Sequence, residues 1–498
     1  MIQARQNSPA ELCRTGIDGL DRILNGGLRP SRIYLAFGNT GTGKTTLGLQ
    51  FLLEGAAHGE RGLYVSFSES KPELESVAES HGWSLDPLDI YEIPRDYARK
   101  TMEPQTVFPP AEVELPRILI PILDTVKRLK PARIVMDSLA EIRFMTQDPL
   151  RYRRELRLLK EEFLEVGCTV LFLDDRGPES GEVGVESLLH GIIILEQTWP
   201  DYERVRRRLR VVKMRAASFA EGHHDLVISR GGLVVFPRLV SSGLRHRKER
   251  QTFGSGVAEL DDLLGGGFES GTSALLMGPA GIGKSNLATQ ILHAAFGRGE
   301  KAALFAFEET LATTLERARN IGLPLEEALN DGRLRYQSVD PAELSPGEFA
   351  ADVMKAVDQG ARVVILDSLN GYLSAMSEER HLTLHLHELL ASLNEKGVLT
   401  LLLLTQHGLL QVASADALEV SYLADVVVAL RFFEDGGRVR RAVSVIKKRT
   451  GHHEETIREF MTDREGVRIG PTLNGFSGVL SGPLVHHGRD KPFLTERA

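Results

Sequence analysis

The sequence predicts an α/β protein of two tandem domains, each a mostly parallel sheet flanked by helices and ending in an antiparallel hairpin. Three observations carry this expectation. The chain repeats itself, short apolar runs alternate with helical-period segments in each copy, and one glycine-lysine signature follows an apolar run in both.

The repeat comes first because it constrains every later assignment. Thr15-Gly16-Ile17-Asp18-Gly19-Leu20-Asp21 is echoed by Ser255-Gly256-Val257-Ala258-Glu259-Leu260-Asp261, 240 positions on. Gly26-Gly27-Leu28 and Gly266-Gly267-Phe268 keep that offset, as do Glu69 and Glu309. Between Asp137 and Asp367 it falls to 230, so the first half carries ten extra residues. They are assigned to the proline-rich stretch Tyr91 to Pro116, which reads as a loop. Lys213 and Lys447 are 234 apart, like Gly232 and Gly466. A chain of 498 residues suits two domains of ordinary size. The boundaries expected are 1–245, 246–475 and a tail at 476–498, because Ser241-Ser242-Gly243 and the charged run Arg245 to Arg250 interrupt the apolar pattern. After about Pro471 there is little periodicity, and the tail reads as loosely ordered.

In the first half, Ile33 to Phe37, Leu63 to Phe67, Ile134 to Met136, Val170 to Leu173 and Ile192 to Leu195 read as buried strands. Thr45 to Ala57 and Tyr152 to Val166 read as helices between them. Strands apolar along their whole length, separated by helices, imply a parallel sheet covered on both faces. Leu226 to Ser229, a Gly-Gly turn and Leu233 to Phe236 then read as a hairpin.

Composition excludes several classes. An apolar fraction of 42% with 26% charged residues is that of a globular protein, which excludes a disordered chain. A net charge of -8 and a pI near 6.1 argue against a surface built to hold nucleic acid. Cys13 and Cys168 are too few for a disulfide framework and have no metal-ligand spacing. The polar N-terminus lacks the apolar run of a signal peptide, and no stretch of about 18 apolar residues occurs. A cytoplasmic protein with no membrane partner is expected.

Gly38-Asn39-Thr40-Gly41-Thr42-Gly43-Lys44-Thr45 fits G-x-x-x-x-G-K-[ST], and Gly278-Pro279-Ala280-Gly281-Ile282-Gly283-Lys284-Ser285 fits it again. Both are P-loops, which makes the two halves P-loop NTPase domains. The glycines let successive backbone N–H groups face one concavity around the phosphates, the lysine reaches the terminal phosphates, and the hydroxyl holds Mg2+. ATP is the expected ligand of both, contacted by the motif residues, by Lys44 and Lys284, and by the following Thr46 and Asn286. Apolar strands ending in Asp137 and Asp367 are the matching acids, placed to hold the Mg2+ hydration shell beside Thr45 and Ser285.

A third element separates the halves. Phe305-Ala306-Phe307-Glu308-Glu309 ends a strand with paired carboxylates, suited to orient or deprotonate a water or hydroxyl nucleophile. The first half reads Phe67-Ser68-Glu69, with one glutamate fewer. Glu308, Glu309 and Glu69 are the candidate catalytic carboxylates. Late in each half a strand carries Lys213-Met214-Arg215 or Lys447-Lys448-Arg449. Either these are solvated edge strands, or Lys213, Arg215, Lys447 and Arg449 reach phosphates held by a neighbouring subunit.

With these pieces in place the chain resembles the KaiC family of double-lobed RecA-like ATPases, over roughly Arg14 to Gly470. The opening T-G-I-D-G-L-D, both Walker sets, the paired glutamates and the K-x-R strands carry the resemblance. Ile457-Arg458-Glu459-Phe460-Met461, after Lys447 to Gly451, fits this family better than the RecA or RadA recombinases. The resemblance implies homohexamers with ATP at subunit interfaces, slow hydrolysis in the first lobe and serine/threonine autophosphorylation in the second. The family's acceptor pair is matched by Ser421-Tyr422, so Ser421 is the candidate phosphoacceptor and tyrosine replaces the second acceptor. Both side chains could equally pack at a loop-strand junction. The family's T-Q at the end of a strand is kept as Thr405-Gln406 and is matched to Asp174-Asp175 in the first lobe. With Ser68 in place of a glutamate, this points to a first lobe that holds ATP and promotes assembly as an alternative to one that hydrolyses it.

The leading expectation is an ATPase and autokinase acting as a signalling switch, with signalling proteins as possible partners. A nucleotide-gated scaffold without kinase activity is one alternative. A DNA-dependent ATPase is another, for which Arg204 to Arg210 supplies a cationic cluster without an aromatic stacking platform.

Overall fold

The computed structural model describes residues 12–94, 110–146, 148–175, 185–199, 204–240, 251–340, 342–375, 382–406, 421–435 and 437–474, with the short segments 476–477 and 485–486. It divides into two compact units, Met1–Arg238 and Leu239–Ala498, each built on an open nine-stranded sheet.

The first unit runs α1 (Asp18–Ile23), β1 (Ile33–Gly38), α2 (Lys44–Ala57), β2 (Gly62–Ser66), α3 (Lys71–His81), β3 (Leu88–Glu92), α4 (Pro110–Leu129), β4 (Arg133–Asp137), α5 (Leu139–Thr146), α6 (Pro149–Val166), β5 (Thr169–Asp174), β6 (Gly191–Thr198), β7 (Arg206–Met214), β8 (His224–Ser229) and β9 (Gly232–Phe236). Its strands lie in the order β3-β2-β4-β5-β1-β6-β7-β8-β9, parallel from β3 to β6 and antiparallel from there to β9.

The second unit repeats the plan with β10 (Thr252–Phe253), α7 (Ala258–Leu263), β11 (Phe268–Glu269), β12 (Ser273–Pro279), α8 (Lys284–Gly297), β13 (Lys301–Ala306), α9 (Leu311–Asn320), α10 (Glu326–Asn330), β14 (Leu334–Ser338), α11 (Pro346–Asp358), β15 (Ala361–Asp367), α12 (Leu369–Ala375), α13 (Leu382–Glu395), β16 (Leu399–Gln406), β17 (Val426–Asp435), β18 (Arg438–Lys448), β19 (Arg458–Asp463) and β20 (Gly466–Thr472). The order is β14-β13-β15-β16-β12-β17-β18-β19-β20.

Each sheet is buried on both faces, which is why its central strands are apolar at every position. Along β1, Tyr34 and Ala36 pack with Leu20, Leu47 and Phe51 from α1 and α2. Ile33, Leu35 and Phe37 point to the other face, among Ile118, Ile122, Leu159 and Phe163 from α4 and α6. In both units the central strand leads straight into the helix that follows a P-loop, so the loop lies at the carboxyl ends of the parallel strands, where ligands of open α/β sheets bind.

Two expectations are corrected. The stretch 91–116 is not all loop, because β3 continues to Glu92 and α4 begins at Pro110. Proline suits a helix start, where its missing N–H has no partner to lose. Pro116 and Pro121 lie inside α4, but Leu115, Ile118, Leu119, Ile122 and Val126 recur at helical spacing and are buried, and that burial outweighs the broken backbone bonds. Residues 95–109 lie outside the described residues. The second correction concerns register: Asp137 pairs with Leu173 as Asp367 pairs with Leu403. Asp174 therefore answers to Leu404, and Asp175, not Asp174, stands in the place of Thr405. Sheet hydrogen bonding sets this alignment, one residue away from the match of the family's T-Q to Asp174-Asp175. Of the tail, the described part is Phe476–Ser477 paired with Val485–His486.

Candidate functional site

The first-lobe loop is shaped by Gly41 and Gly43, whose φ values of 83° and 100° lie in the left-handed region that glycine adopts without cost. Gly43 caps α2 with no side chain, so the first-turn N–H groups point outward unpartnered by a cap. Gly38 is demanded by close approach, since a Cβ there would stand 2.2 Å from the Leu195 carbonyl oxygen. Lys44 folds back over the loop and donates from Nζ to Gly38 O at 2.8 Å and Asn39 O at 3.0 Å. Thr40 and Gly41 carbonyls accept from Gln197 Nε2 (2.8 Å) and Arg207 Nε (3.0 Å), so one arginine of the cationic cluster grips the loop. Arg208 and Arg210 of that cluster are ion-paired to Asp225 and Glu196.

The second lobe reproduces the geometry. Gly281 and Gly283 have φ of 72° and 111°, and Lys284 Nζ donates to Gly278 O at 2.8 Å and Pro279 O at 2.9 Å. Burial pushes the Lys284 ammonium down to about 8, against the opposing pull of Asp367 and Glu308.

The acids at the strand ends meet the helix hydroxyls as the spacing predicts. Thr45 Oγ1 donates to Asp137 Oδ2 at 3.0 Å, and Ser285 hydrogen-bonds Asp367. Burial raises Asp137 above the usual carboxylate range, with hydrogen bonds from Tyr64 and Thr45 opposing it. Asp367 is pushed up to about 6 by burial, the Ser285 hydrogen bond opposing and nearby Glu309 adding to the rise. One carboxylate, buried in the first lobe and partly buried in the second, stands beside one hydroxyl in an all-oxygen donor set that fits a hard divalent ion keeping several waters and phosphate ligands, as Mg2+ does. No cluster of three metal-ligating side chains occurs among the described residues.

The carboxylate pair is resolved into two environments. Glu309 Oε2 accepts from Arg317 Nη2 (3.0 Å) and Nε (3.2 Å) and from Thr314 Oγ1 (3.3 Å). Arg317 also donates to Thr289 Oγ1 at 3.0 Å and Asn286 Oδ1 at 3.4 Å, tying α9 to α8. Glu308 is exposed and accepts a 2.6 Å hydrogen bond from Ser368 Oγ, just beyond Asp367. In the first lobe Ser68 is exposed at the position of Glu308, and Glu69 Oε2 is buried with no hydrogen-bond partner among the described residues. Val77 occupies the place of Arg317. Burial, then Asp137, Glu73 and Asp175, raise the Glu69 carboxyl above its ordinary range. Both glutamates directly precede helix N-caps: Ser70 forms a capping box with Glu73, and Thr310 caps α9 by accepting from Thr313 N.

The late cations act within their own lobe. Lys213 donates to Glu186 O and Arg215 to Ser187 O. Lys447 donates to Ser421 O at 3.0 Å and Ala424 O at 2.8 Å, and Arg449 to Tyr422 O. The two sets correspond, so Glu186 stands where the second lobe has Ser421. Tyr422 is exposed.

Sequence reasoning missed Tyr64, Arg317, Ser368 and the ion pair between Lys44 and Asp175. Tyr64 OH donates to Asp137 Oδ2 at 2.6 Å, where the second lobe has Leu304. A phenol inside an otherwise aliphatic run was the available signal. Asp175 Oδ1 lies 2.9 Å from Lys44 Nζ. No helix among the described residues is long and apolar enough to cross a membrane.

Residues 13–240 and 253–474 each match the KaiC ATPase family model. Over 487 residues the chain is 28% identical to the circadian clock protein KaiC3 of Synechocystis sp., covering 96% of this chain and 95% of that protein. It is 28% identical over 489 residues to the circadian clock oscillator protein KaiC of Prochlorococcus marinus, with 94% of each chain covered. To the KaiC of Synechococcus elongatus it is 27% identical over 475 residues, covering 94% and 91%.

Proposed function

The chain belongs to the KaiC ATPase family, and from that premise we propose that it is an ATP-driven signalling switch, a cytoplasmic homohexamer whose second lobe phosphorylates Ser421. The observation that carries this reading is the separation of the second-lobe carboxylates: Arg317 engages Glu309, while Glu308 stays exposed beside Ser368.

The P-loop N–H groups and Lys284 hold the phosphates of ATP and leave the terminal phosphorus open to attack. Ser285 and Asp367 would hold Mg2+, which supplies charge neutralisation to the departing diphosphate. Glu308 accepts the proton of the attacking hydroxyl as the new O–P bond forms and the bond to ADP breaks. With Ser421 as nucleophile the product is phosphoserine; with water it is phosphate. Lys213 on β7 and Lys447 on β18, with Arg215 and Arg449 just past the ends of those strands, would face the ATP of a neighbouring subunit. Thr45 and Asp137 form the equivalent cation site in the first lobe, where Ser68 leaves Glu69 alone; there nucleotide holds the ring together more than it turns over.

A scaffold without kinase activity is the second reading, favoured by Tyr422 at the position of the family's other acceptor. A DNA-dependent ATPase is disfavoured by the engagement of Arg207, Arg208 and Arg210 within the first lobe. Peptide mass spectrometry after incubation with Mg2+ and ATP decides between kinase and scaffold. Phosphate on Ser421 that is absent in Glu308→Gln supports the kinase; unmodified protein that still consumes ATP supports the scaffold.

A further inference from the structure

The two lobes share one scaffold and differ in a charge beside the P-loop lysine. Lys44 Nζ reaches Gly38 O, Asn39 O and, at 2.9 Å, the carboxylate of Asp175, so each of its three N–H bonds has a partner. Lys284 Nζ reaches the two corresponding carbonyl oxygens, and no carboxylate is ion-paired with it among the described residues. Strand register places the uncharged Thr405 where Asp175 stands. Asp175 is fixed in that place, since its N–H donates to Asp174 Oδ1 at 2.8 Å and Asp174 is itself paired with Arg143. Asp137 and Glu69 add two more carboxylates to the same surroundings, close enough for Asp137 and Asp175 to act on Glu69.

We propose that Asp175 sets the phosphate preference of the first lobe, making it a site that retains nucleoside diphosphate in preference to triphosphate. The proposal rests on the reading of that lobe as a nucleotide site. A β-phosphate is held by backbone N–H groups of the loop together with the lysine, which a diphosphate can share with Asp175. A terminal phosphate draws more heavily on the same ammonium. It has to displace the carboxylate and then lies beside it, two anions against one amine. The second lobe imposes no such competition. The duplicated sites thereby divide, one keeping product and the other taking substrate.

The test is equilibrium competition of ATP and ADP, with Mg2+, against a fluorescent ADP analogue on the full chain carrying Lys284→Ala. That chain is expected to favour ADP by about tenfold or more at the first lobe. Adding Asp175→Thr, which installs the second-lobe residue, is expected to tighten ATP about tenfold and change ADP less than about twofold. Asp175→Asn, nearly isosteric, is expected to act in the same direction and separates the effect from misfolding. Conversely, Thr405→Asp in a Lys44→Ala chain is expected to turn the second lobe toward ADP. Parallel shifts of ATP and ADP, or weakened ATP as if Asp175 helped hold Mg2+, would overturn the proposal and leave the two-site reading standing. A Lys284→Ala chain that binds neither nucleotide would overturn both.

Discussion

Lys447 Nζ lies 3.0 Å from the carbonyl oxygen of Ser421 and 2.8 Å from that of Ala424, so the cation on β18 fastens the segment that carries the candidate phosphoacceptor. Arg449 adds a bond to Tyr422 O and an ion pair to Asp425 at 3.5 Å. The pair thus sets the backbone position of Ser421 before any neighbouring subunit is considered. Lys447→Ala is expected to lower the stability of the second lobe by about 1–3 kcal/mol, as for loss of hydrogen bonds from a charged donor. Hydrogen exchange across 421–425 should quicken more than exchange in β12, and uniform quickening would contradict the assignment.

The two neighbouring glutamates should fail differently. Glu308→Gln is expected to reduce Ser421 phosphorylation by about 10²- to 10⁴-fold with little change in melting temperature, the range of a lost general base. Glu309→Gln is expected to cost about 1–3 kcal/mol of stability by weakening the Arg317 tie between α8 and α9. Phosphopeptide yield and thermal unfolding measured on both variants check the division.

Asp367 makes stability depend on pH in a direction opposite to an ordinary salt-bridged acid. Its folded-state pKa of about 6 is above the ordinary 3.8, so the folded chain binds the proton more tightly than the unfolded one. The stabilisation is fully present below about pH 4 and is lost as pH rises through about 6. Asp367→Asn is expected to stabilise nucleotide-free, metal-free protein by about 2–3 kcal/mol at pH 7, the linkage value of the shift, with no gain near pH 4. A pH series of melting temperatures reads both. The variant should meanwhile lose second-lobe activity, the exchange expected where a site is kept at the expense of stability.

The P-loop lysines should separate the lobes. Lys44→Ala is expected mainly to impair assembly, read by sedimentation with ATP, and Lys284→Ala mainly to impair phosphorylation, read by mass spectrometry. Equal effects of both on both measurements would contradict the proposed division.

Much of this was legible before the fold. The apolar runs located β1, β2, β4, β5 and β6 to within a residue or a few, because strands covered on both faces leave no polar side to blur the pattern. The motifs placed Lys44, Thr45 and Asp137 together because a P-loop needs its helix and its acid at adjacent strand ends. Arg317 was not legible: it lies eight residues beyond Glu309 in a helix that carries a second cation, Arg319. The Asp175 contact was hidden by register, since a one-residue slip at the end of β5 moves the acid from a neighbour's place to that of Thr405.

Among the described residues each nine-stranded sheet is open, and β3 and β14 close one side with backbone donors and acceptors that another strand could pair with. A chain holding two near copies of one sheet is prone to misassembly during folding, because β3 of one copy corresponds to β14, the natural partner of β13 in the other. Both edge strands are five residues long and interrupted by charge, with Asp89 paired to Arg61 at 2.7 Å on β3 and Arg335 on β14. Short, charged borders are poor templates for cross-pairing. On that side of each sheet the duplication therefore enlarges the protein without adding a long sticky border among the described residues.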